Sequence, residues 1–520
     1  MKKISICIFV CAFFLCRPYQ LQHSGLCYSG DDQSYFAHAT AIVFQQYPHY
    51  DKEFFTMGKE RPEHPLGPSL LAAPFVYVFS LVDRVLGSDI VIQRTRANIS
   101  SSWSLFGFVF ATIFYFWVSC WLLYKGLRFH FEEKFAFLSI VALVFMQGLP
   151  LFAFRRPVFS HVYELFLQSL LIFLLLKYRG GISLNRRKYL KLFLIGIVIA
   201  LMGLVRYNNI IMAIAWPLVL IGRPWRKNIL NLFVVYGVFV LTIFLFKFLP
   251  ELVLDHSAGM EGASFAKGYL LAVHDPLFYM RRIMHIFFGI DWGLVFTAPF
   301  IILGLGSLLY FRFPLRKALV LISLPLLVNF VVVVQWLAQG GWYGYRYLVF
   351  SSVPVFAYPL AFLFRALYKK MGNKMYILLF FIAIFPFLSM ICFDGNNTNL
   401  TLKPLNDGYF GRGGSDNLTY QLEVWKTVLF HPIQFSIAIF KGGVLYLVYL
   451  ASLIFRVDSK LPAVVLSRYP VFDLSVFIKM VIIYFLPFVL YWVSGRDWVS
   501  VLGCVTARFK KTDSSQEVGK

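Results

Sequence analysis

Long apolar runs separated by short polar stretches set the rhythm of this chain. One follows Lys2-Lys3, and others lie at 103–124, 134–153, 158–176, 190–204, 208–222, 228–249, 291–311, 317–337, 347–365, 374–393, 436–455 and 475–494. A helix needs about 20 apolar residues to cross the hydrocarbon core, so the pattern predicts an all-α polytopic membrane protein with about 12–13 transmembrane helices. The runs at 190–204 and 208–222 are short, and Arg206-Tyr207-Asn208-Asn209 parts them. The stretch 66–87 carries Pro68, Pro74, Asp83 and Arg84, and reads as a segment in the interface rather than a crossing. The first run continues Leu15-Cys16-Arg17-Pro18-Tyr19 without a small-x-small cleavage site, and reads as an uncleaved short helix.

Basic residues set the expected sidedness. Suppose 66–87 does not cross and Lys2-Lys3 are cytoplasmic. Then Lys125/Arg128, Arg186-Arg187-Lys188, Arg223/Arg226/Lys227, Arg312/Arg316/Lys317 and Arg365/Lys369/Lys370/Lys374 all fall inside. If 66–87 crosses, all fall outside, and the positive-inside rule selects the first arrangement. The division that follows is a core, 1–250, with a long first external loop at 17–102. Further helices fill 251–495, with external loops at 250–290 and 394–435, and 496–520 forms a polar tail. No repeat with a period of about 20–50 residues and no inverted halves are visible. The sequons at Asn98, Asn396, Asn399 and Asn417 fall on the external side.

Composition narrows the class. At 59% hydrophobic and 14% charged residues, with mean hydropathy +0.70, the chain is not a soluble globular protein. Its net charge of +24 does not point to nucleic acid, because Lys and Arg sit in short clusters between apolar runs. The seven cysteines form no CxxC or Cys/His spacing, and only Cys27 lies clearly in a polar loop. Phosphate-binding Gly-rich loops, a nucleophile elbow and HExxH are absent.

Candidate chemistry concentrates in the first external loop, at Gly30-Asp31-Asp32-Gln33-Ser34-Tyr35. A carboxylate there can take a proton from an attacking hydroxyl, or hold a divalent metal (Mg or Mn) against a phosphate. The same residues also make a good turn and cap for a helix beginning near Gln33. Tyr35, Ala39 and Val43 keep helical spacing, predicting an amphipathic helix over 33–46 lying on the membrane. Glu63-His64-Pro65-Leu66 then gives an extended step that can bring an imidazole near the acidic pair, or simply enter the next helix.

An acidic pair followed by Tyr, a short helix and His-Pro-Leu resembles the first external loop of GT-C-type membrane glycosyltransferases, such as the protein O-mannosyltransferases and the lipid A aminoarabinose transferases. The resemblance covers about the first 220 residues by arrangement and 31–70 by motif. It departs from the family pattern in having Asp32 in place of Glu, and His64-Pro65 in place of Pro-Pro. It implies a multi-helix fold with an external active site, a polyprenyl-phosphate-linked sugar donor and a loop carboxylate as base.

Other polar groups fall at the same predicted face. Arg155-Arg156 precede Ser160-His161, and His161 and Glu164 share one helix face. An Arg fork suits a phosphate, although the same arginines suit lipid headgroups and His161 can pair with Glu164. A Ser-His at this helix start also resembles bacterial GT-C-type relatives. Arg206 sits at a helix break, and the Gly-rich loop before Tyr345 and Arg346 offers aromatic faces and a guanidinium. Arg281, Arg282 and His285 are weaker candidates, explained by an amphipathic surface helix.

The reading is therefore a membrane glycosyltransferase. Asp31 or Asp32 is the base, Tyr35, His64, His161, Glu164 and Tyr345 line the substrate site, and Arg155, Arg156, Arg206 and Arg346 neutralise the donor phosphate. The acceptor is a hydroxyl of a lipid, glycan or protein on the non-cytoplasmic face, and the expected home is a bacterial inner membrane. The alternative is a secondary transporter or lipid flippase, which calls for charges near the bilayer midplane.

Overall fold

The structure, a computed structural model, describes residues 2–15, 30–45, 47–50, 62, 64–87, 103–147, 149–150, 153–154, 159–178, 187–221, 228–250, 276–288, 293–335, 346–397 and parts of 481–490. Every regular element among these residues is helical. In chain order they are α1 (Lys2–Leu15), α2 (Gly30–Val43), α3 (Gly67–Leu86), α4 (Trp103–Arg128), α5 (Glu133–Val144), α6 (His161–Tyr178), α7 (Lys188–Val205), α8 (Ile210–Leu220) and α9 (Ile229–Ile243). Then follow α10 (Pro276–Phe288), the single turn α11 (Leu294–Thr297), α12 (Pro299–Tyr310), α13 (Arg316–Gln335), α14 (Arg346–Met371) and α15 (Lys374–Asn397).

Seven of these helices are long and apolar enough to cross a membrane: α3, α4, α6, α7, α9 with the π-helical turn after it, α13 and α14. Several expected spans come out shorter. The run 134–153 ends as a helix at Val144 and passes into a 3-10 turn, Phe145–Gln147. The run 208–222 yields only α8, preceded by a 3-10 turn at Tyr207–Asn209, and 291–311 is split by Ala298 into α11 and α12. The run 436–455 and the tail lie outside the described residues.

The helix α14 is the hub. It packs against α5, α6, α12 and α13, and most of its length is buried. Pro354 and Pro359 lie inside it, each removing one backbone donor. Neighbouring helices tie themselves to this stretch: Ser139 Oγ donates to the Ala357 carbonyl at 2.7 Å and Ser307 Oγ to that of Pro359 at 2.7 Å. The lack of a side chain at Gly304 brings α12 close, since a Cβ there would stand 2.6 Å from the Cβ of Phe356. These hydroxyl-to-carbonyl bonds hold helices together where lipid offers no competing partner.

The polar residues of 66–87 do not interrupt it: Gly67–Leu86 forms one continuous helix, α3, which is long and apolar enough to cross a membrane. It runs antiparallel to the first part of α4. Tyr115 donates to the Leu71 carbonyl at 3.1 Å, Phe75 meets Phe110 and Phe114, and Phe79 stacks on Trp103. Asp83, which argued against a crossing, is a cap for α4. Its carboxylate accepts from the Trp103 and Ser104 amides at 2.8 Å each and from Ser104 Oγ at 2.6 Å. One helix thus satisfies the orphan amides at the start of the next, where the helix dipole favours an anion.

The expected sidedness has a structural counterpart. Lys3 Nζ meets Glu133 Oε1 at 3.0 Å, and this bond holds the Glu133 carboxyl below its usual range. The start of α1 therefore lies at the end of the bundle where α4 finishes with Arg128. Lys2-Lys3 and the Lys125/Arg128 pair share one end, as the distribution of positive charge requires.

Removing the Asp83 cap is the direct test of the α3–α4 hairpin. Asp83→Ala strands the buried Ser104 amide and the part-buried Trp103 amide and should cost about 1–3 kcal/mol. It should lower the thermal unfolding midpoint in detergent, with Asp83→Asn in between. An unchanged midpoint in Asp83→Ala would show that the cap contributes nothing.

Candidate active site

The acidic pair opens α2. This helix begins at Gly30, earlier than expected, so Asp31 and Asp32 lie within its first turn rather than before it. That position favours anionic groups electrostatically. The side chains of both lie outside the described residues. From Ser34 to Ala41 every residue of α2 is buried. This corrects the expected surface-lying amphipathic helix. Small residues (Ser34, Ala37, Ala39, Thr40, Ala41) let neighbours enclose α2 on all sides, and no polar face remains for water.

One turn beyond the acids, α2 is fastened to the His-Pro step. His64 Nδ1 lies 3.1 Å from Ser34 Oγ, the His64 ring stands edge-on to Tyr35 at 5.5 Å, and Ser69 Oγ donates to the Tyr35 carbonyl at 2.6 Å. His38 completes the knot. A carbonyl can only accept, so His38 Nε2–H donates to the His64 carbonyl at 3.0 Å, which leaves Nδ1 to accept from the Tyr50 hydroxyl at 2.7 Å. Burial pushes the His38 imidazole down to about 4; the His64 carbonyl opposes this shift, and the nearby His64 and Lys247 charges reinforce it.

The α2–His64 unit is joined to the transmembrane helices by a backbone contact. A Cβ on Gly67 would run into the backbone of Leu204 and Val205, with the Leu204 carbonyl oxygen at 2.6 Å. Only a residue without a side chain fits this seam. The next residue beyond Val205 is Arg206, where α7 breaks into an extended conformation.

Arg206 pairs with both candidate residues on α6, a pairing the sequence did not indicate. Its Nη1 donates to His161 Nδ1 at 2.7 Å and to Glu164 Oε2 at 3.3 Å. Because a guanidinium only donates, Nδ1 of His161 is an acceptor here and the imidazole proton sits on Nε2. His161 stacks on Phe350, with ring centroids 5.2 Å apart, and this places the start of α14 at the same end of the bundle. Arg206 is 12% exposed while Glu164 is 2% exposed, so the guanidinium is the member of the trio that reaches outward.

A second cation joins them that the sequence reading passed over. Lys247 lies in the π-helical turn Phe244–Phe248, donates to the Tyr207 hydroxyl at 3.1 Å and sits 4.6 Å from the Tyr207 ring centre. The same turn accepts a bond from Tyr47 at the Phe246 carbonyl, 2.9 Å. Lys247 thus bridges the residue after Arg206 and the end of the α2 region. One signal for it was present, since a lone lysine within the apolar run 228–249 is costly unless it faces a partner or a cavity. His38 was missed too, because a single histidine in a small-residue helix carries no pattern.

The structure therefore gathers α2, His64, His161, Glu164, Arg206 and the start of α14 at one end of the bundle. Arg346 opens α14, with its side chain outside the described residues; Arg155, Arg156 and Tyr345 lie wholly outside them. Among the described residues no group of three or more His, Cys, Asp or Glu side chains is placed to hold a metal ion.

No protein-family model matches the chain. No curated protein matches it either. Among solved structures it is similar to the oligosaccharyltransferase of Archaeoglobus fulgidus. The apo form gives 13% identity over 74% of this chain and 54% of that one, with a TM-score of 0.38. The complex with an inhibitory peptide and a dolichol-phosphate gives 14% identity over the same shares, with a TM-score of 0.35. The chain spans about half the length of these structures, and likeness of this degree fixes neither a family nor an activity.

The His38 knot has a pH signature. A histidine whose folded pKa is depressed binds fewer protons folded than unfolded between about 4 and 6.5. Stability should be full above pH 6.5 and fall as pH drops toward 4, by up to about 3 kcal/mol. Unfolding midpoints in detergent measured across this range should show the slope, and His38→Asn should flatten it. An unchanged slope in the variant would remove His38 as its source.

Proposed function

We propose that the chain is an integral membrane glycosyltransferase that moves a sugar from a polyprenyl-phosphate-linked donor to a hydroxyl of a lipid, glycan or protein acceptor on the non-cytoplasmic face. The observation that carries this reading is the contact path from the acidic turn of α2, through Ser34–His64 and the Gly67 seam, to Arg206 with Lys247 nearby. It brings an acid-bearing helix start and basic groups from distant parts of the chain to one end of the bundle.

Sugar transfer from a phosphate needs a group to deprotonate the acceptor and a group to stabilise the departing anion. Asp31, or Asp32 where the turn presents it instead, takes the acceptor proton. Arg206 meets the donor phosphate, with Lys247 adding positive charge, and partial exclusion of water strengthens both interactions. Arg155, Arg156 and Arg346 belong to the same basic face in this reading. His64 and Tyr35 position the acidic helix.

Asp31→Asn and Asp32→Asn, assayed for transfer from a polyprenyl-phosphate-linked sugar in membranes, test the assignment. Loss of the base should lower turnover by roughly 10²–10⁴-fold in one of the two. Full activity in both variants would overturn it.

A further inference from the structure

We infer that Glu164 is an internal stand-in for the substrate anion: it occupies Arg206 in the resting protein, and the donor phosphate displaces it onto Asn209. This inference rests on the proposed reading that Arg206 meets a lipid-linked phosphate.

Three observations support the exchange. First, the Glu164–Arg206 pair is poorly made. One guanidinium nitrogen serves both His161 at 2.7 Å and Glu164 at 3.3 Å, so the contact is long, shared and not bidentate. A phosphate offers the two-point geometry that this carboxylate does not use. Second, the pair is asymmetric, because the carboxylate is sealed in and the guanidinium reaches outward. An incoming anion meets Arg206 first and competes with Glu164 from the open side.

Third, a place for the released carboxylate already exists. Asn209, fully buried at the start of α8, has neither its amide nitrogen nor its amide oxygen in a well-formed hydrogen bond, and its side chain already lies against the Glu164 carboxylate as a loose hydrogen-bonding partner. Buried polar atoms are rarely left unsatisfied in folded proteins, and those that are call for a partner. The next polar group along the α6–α8 interface is Gln168, whose amide nitrogen reaches Met212 Sδ at 3.3 Å while its oxygen is also unpartnered. The interface beneath Arg206 therefore holds unused hydrogen-bonding capacity where a swinging carboxylate would need it.

Glu164 is on this account a positioning residue. It keeps Arg206 extended and charge-compensated while the site is empty, and yields when a phosphate arrives. Without it, the largely buried guanidinium would lose a counter-charge, which is costly.

The test is equilibrium binding of a short-chain polyprenyl phosphate to the full-length protein in detergent, with the phosphate-free polyprenol as control. Wild type should bind the phosphate in preference to the alcohol, and Arg206→Gln should abolish that preference. Glu164→Gln removes the competing anion and should bind about five- to tenfold tighter than wild type, a gain that misfolding cannot produce. Asn209→Leu removes the landing place and should bind several-fold weaker, whereas the double variant Glu164→Gln/Asn209→Leu should recover tight binding because no carboxylate remains to be housed. If Glu164→Gln does not fold, Asn209→Leu decides alone: weaker binding supports the exchange and unchanged binding overturns it. Equal or weaker binding by a folded Glu164→Gln also overturns the exchange. Failure of wild type to prefer the phosphate, or indifference to Arg206→Gln, would instead refute the phosphate site itself.

Discussion

A guanidinium held at the broken end of a membrane-length helix must have counter-groups, and much of this bundle end is arranged around that need. Arg206 interrupts the apolar path between α7 and α8, and it is accommodated because α6 begins there with His161 and Glu164. The break cannot be shifted without leaving a charge buried and unpaired. The Gly67 seam then brings α3, and with it His64 and α2, against the same point. The first-loop helix is carried to the site because Gly67, at the start of α3, lies directly against the backbone of Leu204 and Val205.

The architecture resolves a tension between apolar length and charge. Read by length, α3 crosses; read by its carboxylate and prolines, it does not. The structure removes the objection from charge. Asp83 serves the orphan amides of α4, so a buried acid is compatible with a continuous apolar helix. The Lys3–Glu133 pair meanwhile keeps the N-terminus at the Arg128 end. Charge in such a chain is placed at helix termini, where backbone groups can use it.

Much of this was legible in the residues. The long helices α4, α6, α7, α13 and α14 follow from uninterrupted apolar runs, and the break at Arg206 follows from four polar residues between two short ones. His161 and Glu164 were found by their helical spacing, and their joint partner on another helix was named as a candidate without the pairing. What was not legible depends on tertiary contact. The burial of α2 needs small residues on every face to be matched by neighbours that its own sequence does not show. Lys247 acquires meaning only when its turn meets Tyr207 and the segment after α2. Asp83 looked like a disruption because its partners, the Trp103 and Ser104 amides, stand across a loop.

The central claim is spatial: the acidic turn of α2 and the Arg206 cluster face one substrate. An experimental structure with a non-hydrolysable polyprenyl-phosphate sugar analogue bound would test it most directly. The phosphate should lie against Arg206, and the carboxylate of Asp31 or Asp32 on the acceptor side of the anomeric carbon. A phosphate bound elsewhere in the bundle, or an acidic turn directed away from the sugar, would contradict it.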